Sequence, residues 1–145
     1  MVIKINKKWK VQLEDIMSFV VIEGDNGTGK DTLALNIRDK LGYRIITNES
    51  DVKKLNKKAK QYEGKERIEK FLDYGKFCSD IVNETRENVI LVRYWISTLA
   101  AAYADNIYTY EQTCKLENNI CSKFCKPDII ICLWCDFETR VKRIE

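Results

Sequence analysis

The sequence predicts an α/β fold in which a parallel sheet of about four to five strands is covered by helices on both faces. Two observations carry this prediction. Short apolar runs rich in β-branched residues alternate along the chain with longer stretches of helical periodicity. The first apolar run also ends abruptly in a glycine-rich loop that leads into a helix. Strands separated by helices pair in parallel, because the chain must cross the sheet before it can form the next strand.

The predicted elements follow one another regularly. Residues 1–16 contain short alternating stretches around Asn6, which indicate an N-terminal extension with a possible hairpin. The predicted strands span residues 17–23, 43–47, 88–92 and 128–133. The predicted helices span residues 29–41, 49–60, 63–86, 95–103 and 110–123, and a last one begins at residue 136. We expect residues 1–145 to form a single domain with one core.

Two of the predicted helices have an apolar stripe that we expect to face the core. In the helix over residues 29–41 the stripe is Leu33, Leu35, Ile37 and Leu41. Gly42 follows this helix directly and is a typical stop signal. In the long helix over residues 63–86 the stripe is Ile68, Phe71, Leu72, Phe77, Ile81 and Val82.

The loop after the first strand has the spacing of a P-loop, G-x-x-x-x-G-K, between a strand and a helix. Its glycines allow the backbone to wrap around an anion, so that successive N–H groups point inward. The helix that follows adds its own unpaired N–H groups and the positive end of its dipole. We therefore predict that this loop binds the phosphates of a nucleotide. The predicted binding residues are Gly24, Asp25, Asn26, Gly27, Thr28, Gly29, Lys30, Asp31 and Thr32.

One residue departs from the P-loop pattern. Asp31 follows Lys30, where the pattern has a serine or threonine whose hydroxyl binds magnesium. A carboxylate is a hard oxygen ligand suited to Mg²⁺ and is favourable at a helix N-terminus. We predict that Asp31 holds Mg²⁺, with Thr32 offering a hydroxyl one place later. The alternative is a helix-terminal carboxylate that weakens nucleotide binding.

Charge, apolar run lengths and cysteine content bear on whether the protein binds nucleic acid, spans a membrane or holds zinc. The formal net charge of +3 is too small to indicate nucleic acid, and we interpret the lysines of residues 53–60 as a solvated helix face. No apolar run approaches the roughly 20 residues of a membrane span, and the lysine-rich N-terminus does not resemble a signal peptide. We expect a cytoplasmic protein with no nucleic-acid or membrane partner. We interpret the six cysteines as buried, reduced thiols, although Cys121, Cys125, Cys132 and Cys135 also permit a zinc site.

Four segments together resemble the thymidylate kinase family of P-loop nucleotide kinases. They are the strand and P-loop over residues 19–30, Thr47-Asn48-Glu49, Arg93-Tyr94 with Ser97, and the segment from Pro127-Asp128 to Arg143. The resemblance implies transfer of the γ-phosphoryl group of ATP to a nucleoside monophosphate, with Mg²⁺ and with a dTMP-like acceptor as the first expectation. It also favours a homodimer.

The resemblance suggests roles for individual residues. Lys30, Arg93 and Asp31 are the predicted catalytic residues, and Arg93 would bridge the acceptor phosphate and the transferred group. The predicted acceptor-binding residues are Glu49, Arg93, Phe71, Tyr74, Lys76 and Ser97. Phe71 and Tyr74 would offer stacking surfaces to an acceptor base, although core packing is the alternative for Phe71.

Several positions depart from the family pattern. Asp31 replaces the magnesium hydroxyl, Asn48 replaces an arginine that holds the acceptor phosphate, and Val92 replaces the carboxylate before Arg93. Ala101-Ala102 replaces the pair associated with the acceptor base. The sequence ends at Glu145, where relatives continue into an arginine-bearing lid, so we expect either a weakly active protein or a piece of a longer one.

These departures leave two other functions open. One is an ATP-binding, catalytically degenerate relative that acts as a regulator. The other is a P-loop kinase of a different small phosphorylated metabolite. The three alternatives differ in whether a second ligand is bound and which one it is.

Overall fold

A computed structural model describes residues 17–144 of the chain, so the N-terminal extension and its possible hairpin lie outside the described residues. The strands are β1 (Phe19–Gly24), β2 (Arg44–Ile45), β3 (Val89–Val92) and β4 (Ile129–Leu133). The helices are α1 (Lys30–Leu41), α2 (Ser50–Ala59), α3 (Gly64–Glu84), α4 (Trp95–Ala104), α5 (Tyr110–Cys121) and α6 (Phe137–Ile144). A 3₁₀ turn, Ile46–Asn48, joins β2 to the segment before α2.

The described strands form one parallel sheet in the order β2-β3-β1-β4. Alternate residues of β1 point to opposite faces of the sheet. Phe19 and Val21 pack with α2, α3 and Tyr94, whereas Val20 and Ile22 pack with α1 on the other face. The predicted α/β fold with helices on both faces is therefore confirmed. The carboxyl ends of the strands meet at one edge, which is where ligands bind in such sheets.

Asp128 fixes the start of the edge strand β4 against β1. The Asp128 carboxylate accepts a hydrogen bond from the Phe19 N–H at 2.7 Å, and the Asp128 N–H donates to the Phe19 carbonyl at 2.9 Å. Among the strands of residues 17–144, β4 then pairs with β1 alone, and Ile129 and Ile130 are each 50% exposed. The fourth strand lies where it was predicted, but it is much less buried than β1.

Helix α1 differs from its predicted apolar stripe. Leu33 and Ile37 pack against the sheet as expected, but the buried residue of this face is Ala34. Leu35 and Leu41 are exposed, so their assignment to the core is wrong. The face of α1 that packs against the sheet is therefore narrower than the predicted apolar stripe. Gly42 ends the helix as predicted, with φ 74° and its N–H bonded to the Arg38 carbonyl at 2.9 Å.

Helix α3 is also rotated relative to its predicted stripe. Ile68 is buried, and Phe71, Ile81 and Val82 pack against the core as predicted. Phe77 is exposed instead, because the buried face of the middle turns is formed by Tyr74, Gly75, Cys78 and Ser79. The Ser79 hydroxyl accepts the Cys125 N–H at 2.7 Å, so a polar contact helps to select this face.

The described cysteines are free thiols, and they differ in exposure. Cys78 is buried as predicted, whereas Cys121 and Cys132 are exposed, so the prediction of burial is wrong for those two. Between residues 17 and 144, no three His, Cys, Asp or Glu side chains cluster as metal ligands, which gives the alternative zinc site no support. Over the same residues, no helix combines the length and apolar character needed to cross a membrane.

Candidate active site at the carboxyl edge of the sheet

The loop between β1 and α1 has the shape of an anion cradle. Gly24, Gly27 and Gly29 have φ values of 140°, 78° and 89°, which side chains other than glycine rarely adopt. A Cβ atom on Gly24 would lie 2.4 Å from the Leu133 carbonyl oxygen at the end of β4. Glycine is therefore required here both by the backbone conformation and by the close approach of the neighbouring strand.

The N-terminus of α1 has no side-chain cap. The N-cap residue is Gly29, and among residues 17–144 no side chain accepts a hydrogen bond from the first turn. The hydroxyl of Thr28, which precedes the cap, donates instead to the Asp25 carbonyl at 2.8 Å. The first N–H groups of α1 are therefore left for a ligand, and the helix dipole favours an anion there.

Lys30 lies inside the loop rather than in solvent. It is only 7% exposed, and its ammonium group donates to the Asp25 carbonyl at 2.5 Å. Burial lowers the pKa of Lys30, and the nearby Arg93 guanidinium lowers it further, while Asp31, Asp25 and Glu23 act in the opposite direction. The ammonium group is thus held at the centre of the loop by a neutral acceptor that a phosphate could replace.

Arg93 reaches the P-loop from the end of β3. Its φ of 66° lies in the left-handed region, and its N–H donates to the Ile22 carbonyl at 3.0 Å. The guanidinium donates to the Asn26 side-chain oxygen at 2.8 Å. This backbone conformation costs about 1–2 kcal/mol in a residue with a Cβ atom. The strained turn directs the predicted catalytic arginine toward the loop that carries Lys30.

Glu23 is a buried carboxylate directly before the loop. It is 3% exposed, and one of its oxygens accepts the Tyr94 N–H at 2.9 Å. The other oxygen, Oε2, has no partner among the described residues. Burial raises the pKa of Glu23, and this shift is opposed by the Tyr94 N–H, by the nearby polar groups of Ser97 and by the charge of Arg93. Ser97, a predicted acceptor-binding residue, therefore lies beside this carboxylate.

Helix α6 lies over the P-loop and brings two more arginines to it. Arg140 forms an ion pair with Asp25 at 2.5 Å, and Arg143 donates to the Gly27 carbonyl at 3.1 Å. The Nε atom of Arg140 is buried and has no hydrogen-bond partner in the described part of the chain. Sequence reasoning did not include these two arginines in the site. The sequence feature that could have indicated them is their spacing: two arginines three positions apart lie on the same face of the helix that follows β4.

The remaining predicted acceptor-binding residues lie farther apart. Glu49 accepts a hydrogen bond from Arg44 at 2.7 Å, and Lys76 is ion-paired with Asp80 on the exposed surface of α3. Phe71 is partly buried against the core. Tyr74 is 5% exposed and belongs to the core, so its ring offers no stacking surface and that prediction needs correction. Its position on the buried face of α3 is the physical reason.

Comparison with known proteins identifies the family of the chain. The profile of the thymidylate kinase family matches residues 22–145. The chain belongs to the thymidylate kinase family. The match begins in β1 and includes the P-loop, Arg93 and α6, so it covers the elements that build the site. No curated protein matches the sequence significantly.

Solved structures of two nucleotide-related kinases have the same fold. One is a thymidylate kinase from Candida albicans, with 22% sequence identity and a TM-score of 0.66, covering 89% of this chain and 68% of that one. The other is a deoxyadenosine kinase from M. mycoides, with 21% identity and a TM-score of 0.60, covering 87% of this chain and 69% of that one. At these identities the likeness establishes the fold.

The residues around α1 fit the Mg²⁺ that the thymidylate kinase family implies. The Asp31 and Thr32 side chains are exposed at the first turn, beside the uncapped N–H groups. A lone carboxylate and a hydroxyl are a sufficient protein contribution, because Mg²⁺ usually keeps several waters and takes its other ligands from phosphates. The donor set is therefore compatible with a metal ion that binds together with a nucleotide.

Proposed function

We propose that this chain transfers the γ-phosphoryl group of ATP to a nucleoside monophosphate, with a dTMP-like acceptor as the first candidate. The observation that carries the proposal is the contact between the Arg93 guanidinium and Asn26 of the P-loop at 2.8 Å. It supports an arrangement in which one cation from β3 lies beside the loop that would hold the donor phosphates. Membership of the thymidylate kinase family supports the same class of reaction.

The P-loop would hold ATP through its backbone. The uncapped N–H groups of α1 and the backbone N–H groups of residues 26–30 would bind the β- and γ-phosphates. Lys30 would exchange its hydrogen bond with the Asp25 carbonyl for a phosphate oxygen, which is a stronger, charge-assisted partner. Asp31 and Thr32 would hold Mg²⁺, which when bound supplies positive charge to the phosphate oxygens.

Arg93 would stabilise the phosphoryl group during its transfer. Phosphoryl transfer depends on cations that neutralise the oxygens of the moving group, and one arginine can contribute about 10³–10⁵ in rate. Arg93 would leave Asn26 and bind the acceptor phosphate and the transferred phosphoryl group. Arg140 and Arg143 of α6 would add positive charge at the loop, where they now contact Asp25 and the Gly27 carbonyl.

The acceptor would lie beside Ser97 and Glu23, at the same edge of the sheet. Ser97 would donate its hydroxyl to the acceptor, and Glu49 would contact the acceptor or its bound water after release from Arg44. Phe71 and Lys76 would have to turn from the core and from Asp80 to take part. Catalysis would rest mainly on positioning and electrostatics, since the sequence contains no histidine to act as a general base.

Acceptor-dependent ADP release tests the proposal. Mg·ATP is incubated with the protein and a panel of nucleoside monophosphates, and ADP is measured with and without each acceptor. Stimulation by one acceptor in the parent, lost in Arg93→Ala, supports the proposed function. ADP release that no acceptor changes, in a protein that binds Mg·ATP, argues against it.

A second candidate function is ATP binding without transfer. Val92 is 8% exposed and packs in the core with Val20 and Ile90, so the position before Arg93 provides no carboxylate to the site. This observation favours a catalytically degenerate regulator. The panel separates the candidates, and phosphorylated metabolites other than nucleotides belong in it because a kinase of such a metabolite would share the donor site.

A further inference from the structure

The turn at Arg93 is held by two consecutive residues of β1. The Arg93 N–H donates to the Ile22 carbonyl at 3.0 Å, and the Tyr94 N–H donates to the Glu23 carboxylate at 2.9 Å. These two N–H groups belong to the planar peptide groups on either side of the Arg93 Cα atom. Because the orientations of those two planes define the φ and ψ angles of Arg93, the two hydrogen bonds together fix its left-handed turn.

The second of these bonds is made by a side chain and not by the backbone ladder. Within residues 17–144, the pairing of β1 with β3 ends where Ile22 lies opposite Val92. The chain then leaves the sheet at Arg93, and the next N–H, that of Tyr94, is accepted by the Glu23 carboxylate. A substitution of Glu23 can therefore release the turn without changing the pairing of the strands.

The ring of Tyr94 is anchored separately from its N–H group. Tyr94 is 2% exposed, its ring lies edge-on to Phe19 with a centroid distance of 5.6 Å, and its hydroxyl donates to the Cys125 carbonyl at 3.2 Å. Ring packing alone does not fix the ψ angle of Arg93, because the φ and χ angles of Tyr94 can compensate for a rotation of the peptide group. The hydrogen bond to Glu23 supplies this missing restraint.

Helix capping accounts for only part of the role of Glu23. Tyr94 is the N-cap residue of α4 and makes no side-chain capping bond, so a carboxylate beside this helix N-terminus is favourable. A cap needs a single acceptor atom, however. Glu23 is 3% exposed, and its Oε2 atom has no partner among the described residues. A neutral acceptor would cap the helix with a smaller desolvation cost, so capping alone does not explain a carboxylate here.

The charge of Glu23 acts on the two cations of the candidate site. Arg93 opposes the effect of burial on the pKa of Glu23, and Glu23 opposes the effect of burial on the pKa of Lys30. Arg93 itself lowers the pKa of Lys30, because the two positive charges repel each other. A negative charge near both cations offsets this repulsion, which would otherwise favour an Arg93 side chain turned away from the loop.

We propose that Glu23 is a positioning residue for phosphoryl transfer, which holds the Tyr94 N–H and thereby keeps the Arg93 guanidinium directed at the P-loop. The contact that it maintains is the hydrogen bond from Arg93 to the Asn26 side-chain oxygen at 2.8 Å. This role rests on the proposed function, in which Arg93 neutralises the transferred group. Glu23 acts through Arg93 and not on the reacting atoms.

Substitutions that keep or remove the acceptor atom test this role by kinetics. Glu23→Met fills the same space without an acceptor, and Glu23→Ala is a second removal variant. We expect kcat to fall about 10²-fold in both, since a misplacement of about 1 Å can cost that much. The KM for ATP should stay within about threefold, because the P-loop backbone is intact.

Glu23→Gln is the conservative variant. It keeps an oxygen that can accept the Tyr94 N–H but loses the negative charge. We expect its kcat to remain within about tenfold of the parent, well above that of Glu23→Met. A carboxylate that acted directly on the acceptor would not be replaced by an amide, so the glutamine variant separates positioning from direct action.

Asp128→Ala is the matched control. The Asp128 carboxylate accepts the Phe19 N–H at 2.7 Å, so it holds a backbone N–H at the other end of β1. Its loss should lower the midpoint of urea unfolding, as the Glu23 removal variants do, while kcat stays within about twofold of the parent. A stability effect alone therefore does not reproduce the expected kinetic pattern.

Hydrogen exchange at the Tyr94 amide tests the hold on the turn without any use of activity. In the ¹⁵N-labelled full chain, exchange should be slow in the parent and in Glu23→Gln, and at least about tenfold faster in Glu23→Met and Glu23→Ala. If the parent transfers no phosphoryl group to any acceptor, the proposed function fails. The exchange rates then still show whether Glu23 holds the turn.

Three results would overturn the positioning role. One is an unchanged kcat in the folded removal variants, with or without a higher KM for ATP. Another is an equal loss of kcat in Glu23→Gln and Glu23→Met, which would assign the effect to the charge itself. The third is unchanged exchange of the Tyr94 amide in both removal variants, which would show that the turn is held by other contacts.

Discussion

Replacing Gly27 by alanine tests how α6 is seated on the P-loop. Gly27 has a φ of 78°, and a Cβ atom there would lie 2.8 Å from the Arg140 carbonyl oxygen and 3.2 Å from the Arg140 Cα atom. Both neighbours are backbone atoms of α6, so the helix itself must move. The left-handed conformation costs about 1–2 kcal/mol for alanine, and the overpacking adds about 1–3 kcal/mol.

Gly42→Ala is the matched control. Its φ of 74° is nearly the same, but a Cβ atom on Gly42 would have no atom of the described residues, 17–144, within 4 Å. Gly42→Ala should therefore lose only the backbone contribution of about 1–2 kcal/mol. The difference between the two variants isolates the contact between the P-loop and α6.

Urea unfolding and ATP titration measure the two effects. We expect Gly27→Ala to lose about 1–3 kcal/mol more stability than Gly42→Ala, and to bind ATP about tenfold more weakly because Arg140 and Arg143 move away. Equal stability losses in the two variants, with unchanged ATP affinity in Gly27→Ala, would refute the seating of α6 on the loop.

Three further predictions concern individual site residues. Arg93→Gly should be about 1 kcal/mol more stable than Arg93→Ala, because glycine adopts the left-handed φ without strain, while both lose transfer activity; equal unfolding free energies would contradict the strain. Burial raises the pKa of Glu23, so the folded state binds its proton more tightly than the unfolded state, and this contribution to stability is lost as pH rises above the ordinary value of 4.5. Glu23→Gln should therefore gain stability relative to the parent with rising pH, and parallel stability–pH curves from urea unfolding would contradict this. Burial lowers the pKa of Lys30, so ATP affinity should begin to fall at a pH below the ordinary lysine value of 10.5. A fall that is equally steep in Lys30→Gln would assign the effect to another group.

The parts of the fold that sequence predicts best are those with strong local signals. The β-branched run of β1, the glycine-rich loop and the helix with Gly42 after it are each determined within a few residues, and they appear where expected. The parallel sheet was predicted from the helices between the strands, because parallel strands need such crossover connections. These signals need no knowledge of distant residues.

The predictions that proved wrong concern residues whose burial depends on contacts between distant parts of the chain. Leu35 has the same hydrophobicity as Leu33, but only the packing of α1 on the sheet decides which of them is buried. Tyr74 was assigned to a ligand because aromatic residues serve both purposes, and the rotation of α3 places it in the core. Local periodicity does not determine such rotations to within one residue.

In the candidate site, too, some features are determined by local sequence and others depend on contacts between distant residues. The predicted P-loop has the backbone conformation of an anion cradle, since glycine spacing determines it locally. The contact of Arg140 with Asp25 joins residues 115 positions apart, and the left-handed turn at Arg93 depends on its N–H bond to Ile22 of a neighbouring strand. Residues of these kinds can be listed from sequence, but their meeting depends on the assembled sheet.

The most direct test of the proposed reaction follows the labelled γ-phosphoryl group of ATP. The protein is incubated with Mg·ATP labelled at that group and with each nucleoside monophosphate, and the products are separated. We predict label in one nucleoside diphosphate, formed by the parent and lost in Arg93→Ala. Label that remains in ATP, or appears only in inorganic phosphate with every acceptor, would contradict phosphoryl transfer by this site.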